Sequence, residues 1–196
     1  MRFIYTLLLL GFLSTQSFSQ SEGSLQLEAM TEGSYFWQHN DFSITTGVGL
    51  NIWPIEYIGL NYEFQIGYDS RYNFTFNTGW GQVLSGFLFS EFSGSGFGEV
   101  LGVVAILALA CPEGVTFAIN PGDDLVFMPY IIPLEAQYLH GDGRRFRCSG
   151  EAGLKIHYNL GNGMGIRPKL GIRYLYSKYK LGIEVGVGIM LFDTED

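Results

Sequence analysis

Apolar and polar positions alternate with a period of two through most of this chain, most cleanly near its C-terminal end. Across residues 148–160, Cys148, Gly150, Ala152, Leu154, Ile156, Tyr158 and Leu160 alternate with Ser149, Glu151, Lys155, His157 and Asn159. Successive side chains of a strand point to opposite faces, so this spacing predicts a strand with one apolar face. Residues 164–177 repeat it, with Ile166, Leu170, Ile172, Tyr174 and Tyr176 against Arg167, Lys169 and Arg173. In 181–192, Leu181, Ile183, Val185, Val187, Ile189 and Leu191 oppose Gly182, Glu184, Gly186 and Gly188. The stretches 42–52, 58–68, 115–119 and 126–138 read the same way, the last carrying Pro129 and Pro133, and 25–30 is a weaker first strand. Eight strands result.

The connections fall into two classes. The turns 53–56, 120–123 and 161–163 are tight and rich in Pro, Gly, Asn and Asp, which supply turn geometry. On the opposite side 33–41, 69–113 and 140–147 are longer, and only 177–180 is short. Short periplasmic turns facing longer outer loops are the pattern of transmembrane barrels.

The 69–113 stretch breaks the alternation. Trp80, Val83, Leu84, Phe87, Leu88 and Glu91 share a helical face, 93–98 is a Gly/Ser break, and 99–110 is nearly all apolar before Pro112. This predicts a helical insertion over 79–110, with two further strands, ten in all, as the alternative. The expected fold is all-β: an antiparallel up-and-down β-barrel of about eight strands with an inserted helical hairpin.

Ahead of the strands, Arg2 precedes an apolar run, 4–13, and a small polar stretch, 14–20. That order predicts a signal peptide over 1–20, because the run is shorter than the roughly 20 residues a bilayer span needs. The remainder, 21–196, is of single-domain length.

A soluble carrier barrel and a membrane barrel share this alternation but invert it: the first turns its apolar face inward around a ligand, the second outward to lipid. Composition separates them. The chain is 15% charged and 16% aromatic with 27 Gly, against roughly 25% charge in soluble domains. Gly is frequent on the polar face, as a narrow interior requires. The charges there balance: Glu63, Glu135, Glu151 and Glu184 can meet Lys155, Arg167, Lys169 and Arg173 in a lumen charge network. Tyr138, Tyr158, Tyr174 and Tyr176 lie on the outward parity near strand ends, as in an aromatic girdle. A net charge of −8 argues against nucleic acid as a partner.

In these features the chain resembles the small eight-stranded outer-membrane β-barrels. The segments 111–117 (CPEGVTF) and 129–134 (PYIIPL) are also similar to stretches in exported proteins of the Bacteroidetes group that have no assigned role. The resemblance implies an outer-membrane location with membrane lipid as partner. It names no protein partner.

Candidate chemistry is thin. The segment 94–98 (GSGFG) lacks the Lys and the preceding strand of a phosphate loop. His39, His140 and His157 have no metal-ligand spacing, so no catalytic residue, cofactor or metal is expected. Cys111 and Cys148 are a candidate disulfide, but in register they stand two strand spacings apart, roughly 10 Å, where a bond needs Cα atoms within about 7 Å. The expected role is a non-catalytic outer-membrane barrel with a structural, adhesion or accessory function. Two alternatives stay open: a periplasmic or secreted lipocalin-like carrier of an apolar ligand, and a lipid-modifying barrel enzyme using His39, His140, Asp142 and a Ser at the rim.

Overall fold

The computed structural model describes residues 24–38, 40–79, 83, 111–119, 125–141, 143–161, 164–176 and 180–193. They form β1 (Ser24–Phe36), β2 (Asp41–Ile55), β3 (Ile58–Asp69), β4 (Phe74–Gly79), β5 (Gly114–Phe117), β6 (Leu125–Gly141), β7 (Gly143–Gly161), β8 (Met164–Leu175) and β9 (Lys180–Asp193). Every pairing is antiparallel, and β1 pairs with both β2 and β9. The sheet is therefore a ring with no free edge, which is one of the few ways to satisfy a backbone in lipid.

Nine strands occupy eight places around that ring. β4 pairs with the outer part of β3 (Phe64↔Thr78, Gly67↔Thr75) and β5 with its lower part (Ile58↔Phe117, Asn61↔Gly114). Both then pair with β6, β4 at 135–140 and β5 at 130–131. The two short strands are one stave of the wall, interrupted near mid-height, and the chain between Gly79 and Cys111 departs from that break. The barrel is thus eight-stranded, not ten-stranded.

Several expectations need correction. β1 extends to Phe36 and β2 begins at Asp41, so 33–41 is not a long loop. Its Thr31, Gly33 and Ser34 look like loop residues, but small and polar side chains suit a barrel wall. The stretch 140–147 is strand on both sides of residue 142. Within 69–113, Phe74–Gly79 is strand. The helical hairpin expected over 79–110 lies outside the described residues apart from Gly79, which ends β4, and Val83; no helical element is present among the described residues. The proposed signal peptide, 1–20, lies outside them too.

Local chemistry closes the outer turns. Asn40 and Asn73 adopt φ of 54° and 65°, a left-handed conformation that asparagine tolerates better than most residues. At the second turn the Asp69 carboxylate accepts from Arg71 N at 3.0 Å and its carbonyl from Asn73 N at 2.9 Å. β6 and β7, at 17 and 19 residues, exceed the roughly 9–11 residues that cross a membrane at a tilt.

The faces separate sharply. Outward positions such as Ile44, Ile66, Leu170, Ile172, Val185 and Leu191 are exposed, while inward positions such as Glu63, Lys155, Arg167, Lys169, Arg173 and Glu184 are buried. The apolar face points out, so a lipocalin-like carrier with an apolar interior does not describe this barrel.

Candidate functional site

Ionic side chains converge in the lumen, and each is placed there by strand parity. Inward positions of β8 are Arg167, Lys169 and Arg173; of β7, Arg147, Glu151 and Lys155; of β1, Glu28 and Glu32; of β9, Glu184. Lys169 is the hub. Its Nζ lies 2.6 Å from Glu32 Oε1, 2.9 Å from Glu184 Oε1 and 3.0 Å from Glu151 Oε1. These three carboxylates are close enough together to hold a metal ion. The Lys169 ammonium is the cation they hold instead.

Further along β8, Arg173 spans three acids, two of them shared with Lys169. Its Nε lies 2.7 Å from Glu184 Oε2, and its Nη2 lies 3.2 Å from Glu135 Oε2 and 3.2 Å from Glu151 Oε2. Ser34 and Ser149 donate to Glu184 and Glu135, each at 2.7 Å. Two pairs reach across the lumen from β7 to β3: Lys155 to Glu63 at 3.0 Å and Arg147 to Asp69 at 3.1 Å. Arg167 pairs with Glu28 at 3.1 Å and also donates to Gln26 and, at 3.1 Å, to His157 Nδ1. Gln65 ties the layers together by donating to Glu32 at 2.9 Å and Glu63 at 3.0 Å.

Tyr130 of β6 stands at the centre. Its hydroxyl donates to Glu151, and its ring lies 5.1 Å from Lys169 Nζ and 5.4 Å from Lys155 Nζ. Those distances are within cation–π range. Gly153 and Gly171, directly opposite each other on β7 and β8, make room for the phenol: a Cβ at either would fall 2.7 Å or less from its oxygen.

The lower end is sealed differently. Trp53, Ala118, Val126 and Met128 form a buried apolar cluster, and Trp53 Nε1 donates to Gln26 at 3.0 Å. The Trp53 ring lies flat over Gly59, where a Cβ would stand 3.1 Å away.

The eight residues expected in a lumen network, Glu63, Glu135, Glu151, Glu184, Lys155, Arg167, Lys169 and Arg173, are all buried on the inward face. Six further buried charges were not anticipated: Glu28, Glu32, Asp69, Glu113, Arg147 and Lys180. Glu28 lies within the predicted 25–30 strand, and Glu32 follows from extending the parity of β1 past Met30, which the polar residues after it obscured. Tyr130, Val126 and Met128 were hidden because the lower half of β6 is apolar on both faces. Cys111 and Cys148 are two free thiols, with β6 standing between the staves that carry them. His140 is exposed at the outer rim, while His39 and Asp142 lie outside the described residues.

No protein-family model matches this chain, and no curated protein does. Among solved structures it is similar to the N-terminal β-barrel domain of Pseudomonas aeruginosa OprF, at 12% identity and TM-score 0.53, over 87% of this chain and 98% of that one. The two share a fold. Lower in similarity are Neisserial surface protein A (NspA), at 6% identity and TM-score 0.49 over 85% and 94% of the two chains, and a de novo designed transmembrane β-barrel, at 11% and 0.42 over 89% and 100%. The likeness to exported Bacteroidetes proteins finds no support in these comparisons.

Proposed function

We propose that this protein is a non-catalytic barrel of the outer-membrane type, with membrane lipid around its wall and a structural, adhesion or accessory role. The observation that carries this reading is the inversion of its surface. Ring-wide, large apolar side chains point outward and are exposed, whereas the charges are inside and paired. In water that arrangement exposes apolar area far beyond the few hundred Å² a soluble monomer shows as one patch. In a bilayer the wall needs no charge. Exposed aromatic residues near the strand ends, among them Tyr35, Trp37, Phe42, Tyr57, Tyr68 and Tyr158, suit the two interfaces.

The lumen supports a closed barrel over an open pore. Eight strands leave an interior that side chains fill, and here cross-lumen ion pairs lie above an apolar plug. Fractionation tests the location: the reading expects the protein in outer membranes, resistant to alkaline extraction, and heat-modifiable on gels. A chain recovered as a stable monomer in detergent-free buffer would refute it.

A further inference from the structure

Glu113 is a buried acid that takes no part in the ion-pair network of the lumen. It immediately precedes β5, at the lower edge of the break in the interrupted stave, and is 3% exposed. Two hydrogen bonds tie it to β3. Its backbone N–H donates to the Asn61 carbonyl at 2.8 Å, and its carboxyl Oε2 accepts from the Glu63 N–H at 2.9 Å. Glu63 stands on β3 between the residues paired with β5 and those paired with β4. The Glu113 side chain thus supplies the acceptor that a neighbouring strand supplies elsewhere in the wall.

Charge sets this carboxyl apart. Every other buried carboxylate among the described residues has a Lys or Arg nitrogen within 3.2 Å, whereas Glu113 makes no ion pair with any of them. The charged groups that act on it are Glu63 on β3, Glu135 on β6 and Lys169 on β8. The two acids repel a negative charge there, and Lys169 is already held by Glu32, Glu151 and Glu184. The cations of those two acids, Lys155 and Arg173, are engaged by them in turn. The sequence offers no substitute nearby. Residues 80–110 contain no Lys, Arg or His. The cations outside the ion pairs are Arg2, ahead of β1; Arg144 and Arg145, at the outer end of β7; and Lys178, between β8 and β9. An ionised carboxylate buried without a counter-charge is so costly that the group neutralises instead. One amide hydrogen bond does not replace the missing cation.

We propose that Glu113 is a proton-binding site: it stays neutral in the folded barrel, and the wall closes at the interrupted stave by taking up a proton there. In the unfolded chain a Glu ionises at about pH 4. The stability that Glu113 contributes is therefore full below that pH and falls as pH rises, because over that range the folded state binds the extra proton. Glu113→Gln keeps the shape and neutrality of the acid but cannot ionise. The ratio of unfolding constants, wild type over variant, isolates the proton. Read from urea unfolding of the full chain in phosphatidylcholine vesicles, it should be near unity at about pH 4 and exceed roughly tenfold at about pH 8. A ratio that stays flat, or that falls with pH, overturns the proposal. So does a variant that cannot fold, since a neutral isostere should replace a neutral acid. Infrared difference spectra of wild type against variant at neutral pH give an independent readout. The carbonyl stretch of a protonated acid should disappear with no change in the carboxylate bands. Loss of carboxylate absorption instead overturns the proposal, and if that absorption responds to sodium or potassium concentration, the counter-charge is a bound metal ion and not a proton.

Discussion

Lys169 shows how much a single inward residue can carry in a closed barrel. Its ammonium is shared by Glu32, Glu151 and Glu184, all buried, so removing it strands Glu32 and leaves Glu151 and Glu184 with Arg173 as their remaining cation. Breaking a buried pair by removing one partner costs about 3–5 kcal/mol, mostly the penalty of the stranded charge. Lys169→Met should therefore lower stability by at least that amount, read from urea unfolding in lipid vesicles; a change under about 1 kcal/mol would show the network to be dispensable. The glycines beneath Tyr130 test packing at the same spot. A Cβ at Gly153 meets the Leu170 backbone oxygen at 2.3 Å, which cannot move without the sheet, whereas at Gly171 it first meets the Tyr130 hydroxyl. Gly153→Ala should be the more damaging, in the range of about 1–3 kcal/mol for overpacking. Equal effects in the same unfolding assay would argue that Tyr130 is as immobile as the backbone.

The strands set the orientation of these residues, and their two faces make separate predictions. Leu154, Ile172 and Val187 lie along the outward parity of β7, β8 and β9 and are exposed. An arginine there must enter hydrocarbon, at about 2–4 kcal/mol near the midplane and about 0–1 near an interface. Leu154→Arg, Ile172→Arg and Val187→Arg should thus destabilise the barrel in bilayers more than Leu160→Arg near the end of β7. A cost independent of depth would remove the lipid. At the outer rim, β2 is tied to the start of β9 and to the β3–β4 turn, because Asp41 accepts from Lys180 at 3.0 Å and from Arg71 at 2.5 Å. Partial burial pushes the Asp41 carboxyl up, but these two hydrogen-bonded cations outweigh it and hold it below its ordinary value. A carboxyl depressed on folding stabilises above its unfolded value near pH 4, and the stabilisation is lost as pH falls through the folded one. Amide exchange at the rim should quicken below that range, and Asp41→Asn should abolish the pH dependence while leaving the mid-barrel unchanged.

At the scale of the whole molecule, closure of the ring and filling of the lumen act together. Inter-strand bonds satisfy the backbone with no edge left open, and ion pairs between staves that are not neighbours, such as Lys155 to Glu63, brace the wall from inside. The barrel should be predominantly β by circular dichroism. Reconstituted into planar bilayers it should show no steady ohmic conductance, because buried Trp53, Val126 and Met128 and the Arg167–Glu28 pair fill the lower lumen. Steady ion flow through the unmodified protein would mean that this plug does not seal.

Alternation was enough to place β7, β8 and β9 and to assign Lys155, Arg167, Lys169, Arg173 and Glu184 to one face, because strand periodicity is local and each inward position inherits it from its neighbour. Where local pattern and wall position disagree, the sequence misleads. In β1 the inward face carries Glu28, Glu32 and Ser34 and its outward Thr31 and Gly33 are hardly apolar, so half of a long strand looks like a loop. In lower β6 both faces are apolar, so the inward Val126, Met128 and Tyr130 cannot be told from the outward Phe127 and Ile131. Only tertiary structure decides three further things. It joins β4 and β5 into one stave, since a six-residue and a four-residue strand declare themselves only by the partners they share. It gathers Glu32, Glu151 and Glu184 from three strands onto one lysine, because ring closure brings β1 beside β9. It also leaves Tyr62, Thr78 and Ala136 buried, though by sequence they are ordinary outward residues, since burial is set by how elements pack and not by strand parity.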